Sequence, residues 1–423
     1  MMGSEAVGRI LGACKRHEGV VWKSIVAVSV IAVVFARSSS TGTAMAMHIS
    51  GQQALDYAER MATTAVNLWA VAGPAKDRFQ YELGVVLRGI EVVYERTHEQ
   101  KYFQFLKLKV DRFVNEDGTI RTYVFNEFQL DSILTGRLVL TLYNSTGESK
   151  YKTAADLLRE QLRKQPRLSE GGFWHKKVYP YQMWLDGLYM AEPFYAQYAK
   201  EFKEPVAYDD IALQFIVAEN RMRDAKLGLL YHGYDESRVS AWSDPATGHS
   251  PTVWGRAVGW YTMGLIDTLD FFPTEHANHP ELLAILIRLA TAVIRFQDAQ
   301  SGLWWQVMDK GNDAGNYLES SASAMFVYTL AKGVRLGYLP REQFLECALK
   351  GYDGIISHFL QDSSATNGGA VTYTGTVAVG GLGGTPYRNG TYAYYLSEPV
   401  VSNDPKGVGP FIMASVEISV LTS

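Results

Sequence analysis

An all-α architecture, an (α/α)6 barrel of six inner and six outer helices with short hairpins or loops at its mouth, is expected of this 423-residue chain. Three observations point there. Helical periodicity recurs from residue 50 to the end, and no Pro/Ser-rich linker divides that stretch. Every second periodic segment is rich in small and apolar residues, whereas its neighbours carry more charge, the signature of buried helices alternating with half-solvated ones. Each apolar segment also opens in the same way, with an aromatic or Gly-rich lead-in and then a polar residue.

The chain begins with a stretch that reads as a leader. Arg9, Lys15, Arg16 and Lys23 precede an apolar run from Ile25 to Ala36, and Ala44-Met45-Ala46 offers a cleavage site. The run is short for a bilayer crossing. Residues 1–46 are therefore expected to be a signal peptide, with an uncleaved membrane anchor as the alternative, and the protein to be exported to the periplasm or the medium. Residues 47–423 are expected to form one domain. Removing residues 1–46, with five basic and two acidic residues, takes the formal charge from −4 to −7. Such a surface does not wrap nucleic acid or a long polyanion. Only Cys347 then remains, so stability rests on packing rather than on an internal disulfide.

The periodic segments run roughly 51–71, 79–97, 99–115, 127–145, 150–164 and 186–200, then 205–221, 254–272, 278–300, 319–337, 340–361 and 405–420. The even-numbered ones open on Tyr81-Glu82, Gln129-Leu130-Asp131, Trp184-Leu185-Asp186, Trp254-Gly255-Arg256, Leu318-Glu319-Ser320 and Asn403-Asp404. Residues such as Asp131, Asp186 and Ser320 are common N-caps. Six polar openings in register nevertheless favour convergence on one end of the ring. The lead-ins from Gly171 to Trp184, Leu227 to Tyr234 and Ser301 to Met308 read as loops or hairpins rimming that end.

The most informative stretch is Tyr179-Pro180-Tyr181-Gln182-Met183-Trp184-Leu185-Asp186-Gly187, where an acid sits among aromatic and thioether side chains. Desolvation there, and a second carboxylate such as Asp131, would raise the proton affinity of Asp186 and suit it to general acid work. A helix N-terminus acts in the opposite direction, and the sequence leaves that balance open. His232 falls in a Gly-containing loop, and Arg256 lies between Trp254 and Trp260, where its fork of donors could meet a substrate carboxylate or a salt-bridge partner in the ring. Tyr181, Trp184, Trp254 and Trp260 are candidate sugar-stacking or core rings. No H-E-x-x-H, paired CxxC or EF-hand pattern marks a metal, and no cofactor is expected. Gly380-Gly381-Leu382-Gly383-Gly384 reads as a tight loop at the mouth.

These stretches carry a family resemblance. Met183-Trp184-Leu185-Asp186-Gly187 with Met190-Ala191, supported by Gln129-Leu130-Asp131, Leu230-Tyr231-His232-Gly233, Trp254-Gly255-Arg256 and Asn403-Asp404, makes residues 53–420 similar to the unsaturated rhamnogalacturonyl hydrolases, glycoside hydrolase family 105. That family is related to the unsaturated glucuronyl hydrolases of family 88. Ala257-Val258 stand where a Gly-Asn pair is more usual. The resemblance implies a glycosidase acting on oligosaccharides whose non-reducing end is a 4,5-unsaturated uronic acid, the scar left by a polysaccharide lyase. It also implies Asp186 as proton donor to C4 of that vinyl ether, with Asp131, His232 and Arg256 lining the site. The expected partner is a small oligosaccharide, with no nucleic acid or protein partner implied. Two alternatives remain beside it: a conventional inverting glycosidase on the same barrel, with Glu319 or Asp131 as second carboxylate, and a carbohydrate-binding protein with a degenerate site.

Overall fold

The computed structural model describes residues 48–71, 73, 77–362 and 369–423. The expected leader lies outside these residues. Thirteen α-helices are present among them: α1 (Gly51–Leu68), α2 (Tyr81–Thr97), α3 (Gln100–Asp111), α4 (Gly136–Thr146), α5 (Ser149–Lys164), α6 (Leu185–Glu201), α7 (Ala207–Met222), α8 (Gly255–Leu269), α9 (His279–Arg295), α10 (Ser320–Arg335), α11 (Arg341–Phe359), the six-residue α12 (Tyr392–Ser397) and α13 (Pro405–Leu421).

Six of them close a ring, α2 against α4, α4 against α6, α6 against α8, α8 against α10, α10 against α13 and α13 back against α2. The other long helices pack outside it, α1 chiefly on α13 and also on α2, α3 on α2, α5 on α4 and α6, α7 on α6, α9 on α8 and α11 on α10. This is an (α/α)6 barrel. The reason is visible in the side chains: every residue of α8 is buried, as a helix enclosed on all sides requires, whereas α5 buries one stripe built on Tyr151, Ala154, Ala155, Leu158 and Leu162. Glycines let inner helices approach closely. A Cβ on Gly409 of α13 would stand 2.4 Å from the Val85 carbonyl oxygen of α2.

The segment ahead of α4 differs from the expected continuous helix starting near residue 127. Single 3-10 turns at Phe125–Glu127 and Leu130–Ser132 come first, because Phe128 adopts a left-handed conformation (φ 44°) that a helix cannot continue through. The mouth also differs in detail. The short strands β1 (Gln182–Trp184) and β2 (Gly233–Asp235) do not make local hairpins but pair antiparallel with each other, Trp184 opposite Gly233, joining the loop before α6 to the loop after α7.

Candidate active site

Backbone pairing assembles the site. Because Trp184 lies opposite Gly233, the Leu185 amide donates to the His232 carbonyl at 3.0 Å, and His232 comes to stand beside the first turn of α6, where Asp186 projects. In the same way the Leu130 amide donates to the His175 carbonyl at 3.2 Å, which brings the turn holding Asp131 to the loop holding Lys176. The result is a pit of about 210 Å³ at the N-terminal ends of α2 and α6, lined by Gln80, Tyr81, Glu82, Gln129, Asp131, His175, Lys176, Tyr179, Trp184, Asp186, Met190, Val379, Gly380 and Arg388.

Asp186 Oδ2 is 2.9 Å from His232 Nε2, a charge contact without the alignment of a hydrogen bond. His232 is fully buried, and its Nδ1 meets the Tyr395 hydroxyl at 2.6 Å. Burial pushes the Tyr395 phenol far up, so it keeps its proton. Trp254 stacks on Tyr395 (5.4 Å, 18°), and Gln306 holds both, accepting from the Trp254 indole and donating to the Tyr395 carbonyl. The carboxylate thus has a rigid imidazole and phenol behind it.

Burial, the largest single influence, favours the protonated form of Asp186, but the facing His232 ring, His175 and the residue's own amide together outweigh it. The net direction is downward from the ordinary carboxylate value. The balance that the sequence leaves open therefore goes to the ionised form. Burial lowers His175 to about 4, so its ring is neutral at physiological pH. Asp131 is no free second carboxylate either. Lys176 donates to its Oδ2 at 2.5 Å, and His175 Nε2 is 3.4 Å from Oδ1.

The remaining expected residues divide. Trp184 lines the pit with Tyr179 (5.0 Å, 19°) and His175 (4.6 Å, 18°) both stacked on its ring. Trp254 stands behind His232 (4.8 Å) rather than in the pit, and Gly380 fits against its ring where a Cβ would lie 2.4 Å away. Trp260 is core, stacked on Tyr189 (5.0 Å, 21°) and meeting Tyr81 edge-on, so it supports the pit floor from below. Tyr181 lies outside the pit. It is 48% exposed, at φ 63°, with its ring against Trp174. Arg256 is a correction too. Its guanidinium is buried and directed to Ser321 Oγ (2.8 Å), Glu319 (3.5 Å) and the Val377 carbonyl, so it braces the start of α10 instead of facing a substrate acid. Glu319 in turn caps α10 by accepting from the Ala322 amide at 2.7 Å, and Asp404 caps α13 through the Lys406 amide.

Sequence reading did not single out Lys176, Glu82, Arg388 or Tyr395. Lys176 and Glu82 sit within the stretches that were quoted. Arg388 and Tyr395, the latter in α12, lie some 200 residues from Asp186, and no local pattern announces them. Among the described residues no group of three or more His, Cys, Asp and Glu side chains is arranged to hold a metal ion.

The chain matches the family model for Glycosyl Hydrolase Family 88 over residues 56–422. A solved structure of a glycoside hydrolase from family 105, from C. acetobutylicum ATCC 824, is 46% identical, with a TM-score of 0.83 over 86% of this chain and 99% of that one. Protein Atu3128 of Agrobacterium fabrum is 44% identical over 230 residues, 54% of this chain and 97% of its own length. The unsaturated rhamnogalacturonyl hydrolase YesR of Bacillus subtilis is 32% identical over 260 residues, 60% of this chain and 70% of its own length. With its barrel and its pit at the inner helix starts, the chain belongs to the glycosyl hydrolase family 88 and family 105 group and is a glycosidase.

Proposed function

We propose that the protein removes a 4,5-unsaturated uronic acid, unsaturated galacturonyl on rhamnose in the first instance, from the non-reducing end of lyase-generated oligosaccharides. The observation that carries this reading is the carboxylate of Asp186 at the pit, backed by His232, with Asp131 tied to Lys176 and Glu82, kept towards its protonated form by burial, as the third carboxylate of the lining. A vinyl ether needs only one acid to start its hydrolysis. A proton from Asp186 goes to C4, and the positive charge left at C5 is shared by the ring oxygen. The carboxylate then assists the water that adds at C5, and the resulting hemiketal opens with loss of the glycosidic bond. Asp131 and His232 orient sugar and water. The similarity to YesR supports the choice of sugar.

Ordinary inverting hydrolysis requires a second catalytic carboxylate across the scissile bond. Glu319 does not serve, being fully buried, engaged as a helix cap and absent from the pit lining. As part of the same reading, residues 1–46 are a leader that carries the enzyme to the periplasm or the medium, or anchors it at the membrane, where lyase products arise.

The test is loss of the ultraviolet absorbance of the conjugated C4=C5 bond with unsaturated disaccharides. Asp186→Asn is expected to lower the rate by about 10²- to 10⁴-fold, the usual worth of general acid catalysis. Steady absorbance with every unsaturated substrate, alongside cleavage of saturated glycosides, would transfer the case to the inverting mechanism. Binding without any turnover would transfer it to a carbohydrate-binding protein.

A further inference from the structure

A second cavity of about 650 Å³ adjoins the catalytic pit and shares Gln80, Gln129 and Lys176 with it. It lies between the three loops that lead into α2, α4 and β1, so a sugar leaving the pit across the scissile bond has this space in front of it. Its walls carry two more cations, Arg78 and Lys177. Lys176 is spoken for by Asp131. Arg78 and Lys177 are both exposed, and neither side chain has a hydrogen bond or ion pair among the described residues; Lys177 rests over the Phe128 ring at 5.7 Å. One carboxylate, Glu127, stands opposite, accepting from the Gln129 amide group at 3.2 Å. The cavity therefore carries positive charge in a chain whose formal charge is −4. Most of the other surface lysines and arginines near carboxylates are paired with them, as Arg221 is with Glu170 and Arg335 with Glu417.

We propose that this second cavity is a subsite for the sugars beyond the scissile bond, and that Arg78 and Lys177 there receive a further anionic group of the oligosaccharide, a uronate carboxylate or a sulfate ester. This rests on the reaction proposed above and extends it. A product of lyase action on a polyanion keeps acidic groups along its length, so an enzyme that works inward from the unsaturated end meets one soon after the first linkage. The arrangement also reconciles an anionic substrate with an overall negative protein, because only the local field at the mouth is positive, and salt screens it readily at these exposed positions.

The experiment compares kcat/KM for three unsaturated substrates: a disaccharide with a neutral second sugar, a tetrasaccharide carrying a second uronate, and a sulfated oligosaccharide of the same length. The wild-type enzyme is expected to favour an anionic oligosaccharide by about 3- to 10-fold over the disaccharide, the size that one or two exposed ion pairs support. In Arg78→Gln/Lys177→Gln that ratio is expected to fall towards unity. Preference for the uronate or for the sulfate identifies the group received. An unchanged ratio in the double variant, or no preference in the wild type, overturns the subsite. If no unsaturated substrate is turned over at all, the parent reading fails separately, and calorimetric binding of saturated anionic oligosaccharides to wild type and double variant decides the subsite alone. Equal affinity for the two proteins overturns it.

Discussion

Asp186 meets its proposed task from the ionised side, since His232, His175 and its own amide together favour the carboxylate over the acid. A general acid works only when protonated, so a rate that depends on it falls as pH rises through its pKa. In the free enzyme that pKa lies below the ordinary carboxylate value because His232, His175 and the residue's own amide together outweigh burial. Bringing a uronate carboxylate into the pit and expelling its water both favour the protonated form. The profile of kcat/KM reports the free enzyme and that of kcat the complex. The basic limb of kcat is accordingly expected at higher pH than the basic limb of kcat/KM, measured on one unsaturated disaccharide over the stable pH range. Coincident limbs would mean that substrate does not supply the missing proton affinity. Trp184 teaches a related lesson. With His175 and Tyr179 stacked on its ring, it stiffens the wall beside Asp186.

At the level of helices and loops, close packing makes its own prediction. Gly409→Ala on α13 places a Cβ 2.4 Å from the Val85 carbonyl oxygen, which is backbone and cannot swing aside. Alanine gains up to about 1 kcal/mol of helix propensity over glycine, while overpacking a tight interface costs roughly 1–3 kcal/mol. The clash wins, and a lower denaturation midpoint is expected; an unchanged or higher one would show that α2 and α13 slide apart without cost. All twelve long helices were legible in the sequence because a 3.6-residue period and the contrast between enclosed and half-solvated segments are local signals. The start of α4 was not, since the left-handed Phe128 is imposed by the turn that delivers Asp131. Asp131, Asp186 and His232 could be read because each sits beside an inner helix or in a Gly-rich rim loop. Arg256 and Trp260 occupy equally suggestive positions at the start of α8, yet they turn into the ring. Which way a side chain faces around an enclosed helix is set by its neighbours and not by its own segment. Tyr395 and Arg388 were invisible for the same reason.

Across the whole molecule the barrel interior is layered, and the layers separate chemistry from stability. Behind Tyr81 of the pit lining come Trp260 and Tyr189 in ring contact. Further along, towards the C-terminal ends of α8 and α10, is a charged knot: Asp267 accepts from Arg137 (2.7 Å), Lys332 (2.7 Å) and the Tyr328 hydroxyl (2.5 Å), and Lys332 also reaches Asp270 (2.6 Å). It ties α4, α8 and α10 together across the ring. Burial acts to raise the Asp267 pKa, but Lys332 and Arg137 outweigh it and drive the group far below the ordinary range. A depressed carboxylate contributes stability that is fully present above its unfolded pKa of about 3.9 and is lost as pH falls from there towards the folded value. Removing it strands the buried Arg137 and leaves Lys332 to Asp270, and breaking a buried pair typically costs about 3–5 kcal/mol, a large share of the 5–15 kcal/mol that holds a protein folded. Asp267→Asn is therefore expected to lower the melting temperature markedly at neutral pH, with the difference from wild type shrinking below about pH 4 as the carboxyl of the unfolded wild-type chain takes up a proton that the folded one does not. Asp186→Asn removes a carboxylate from the open layer and is expected to cost activity while leaving the melting temperature near that of wild type. If Asp267→Asn were as stable as the parent at neutral pH, the knot would be a passive filler of the barrel, and closure of the ring would rest on its apolar helices alone.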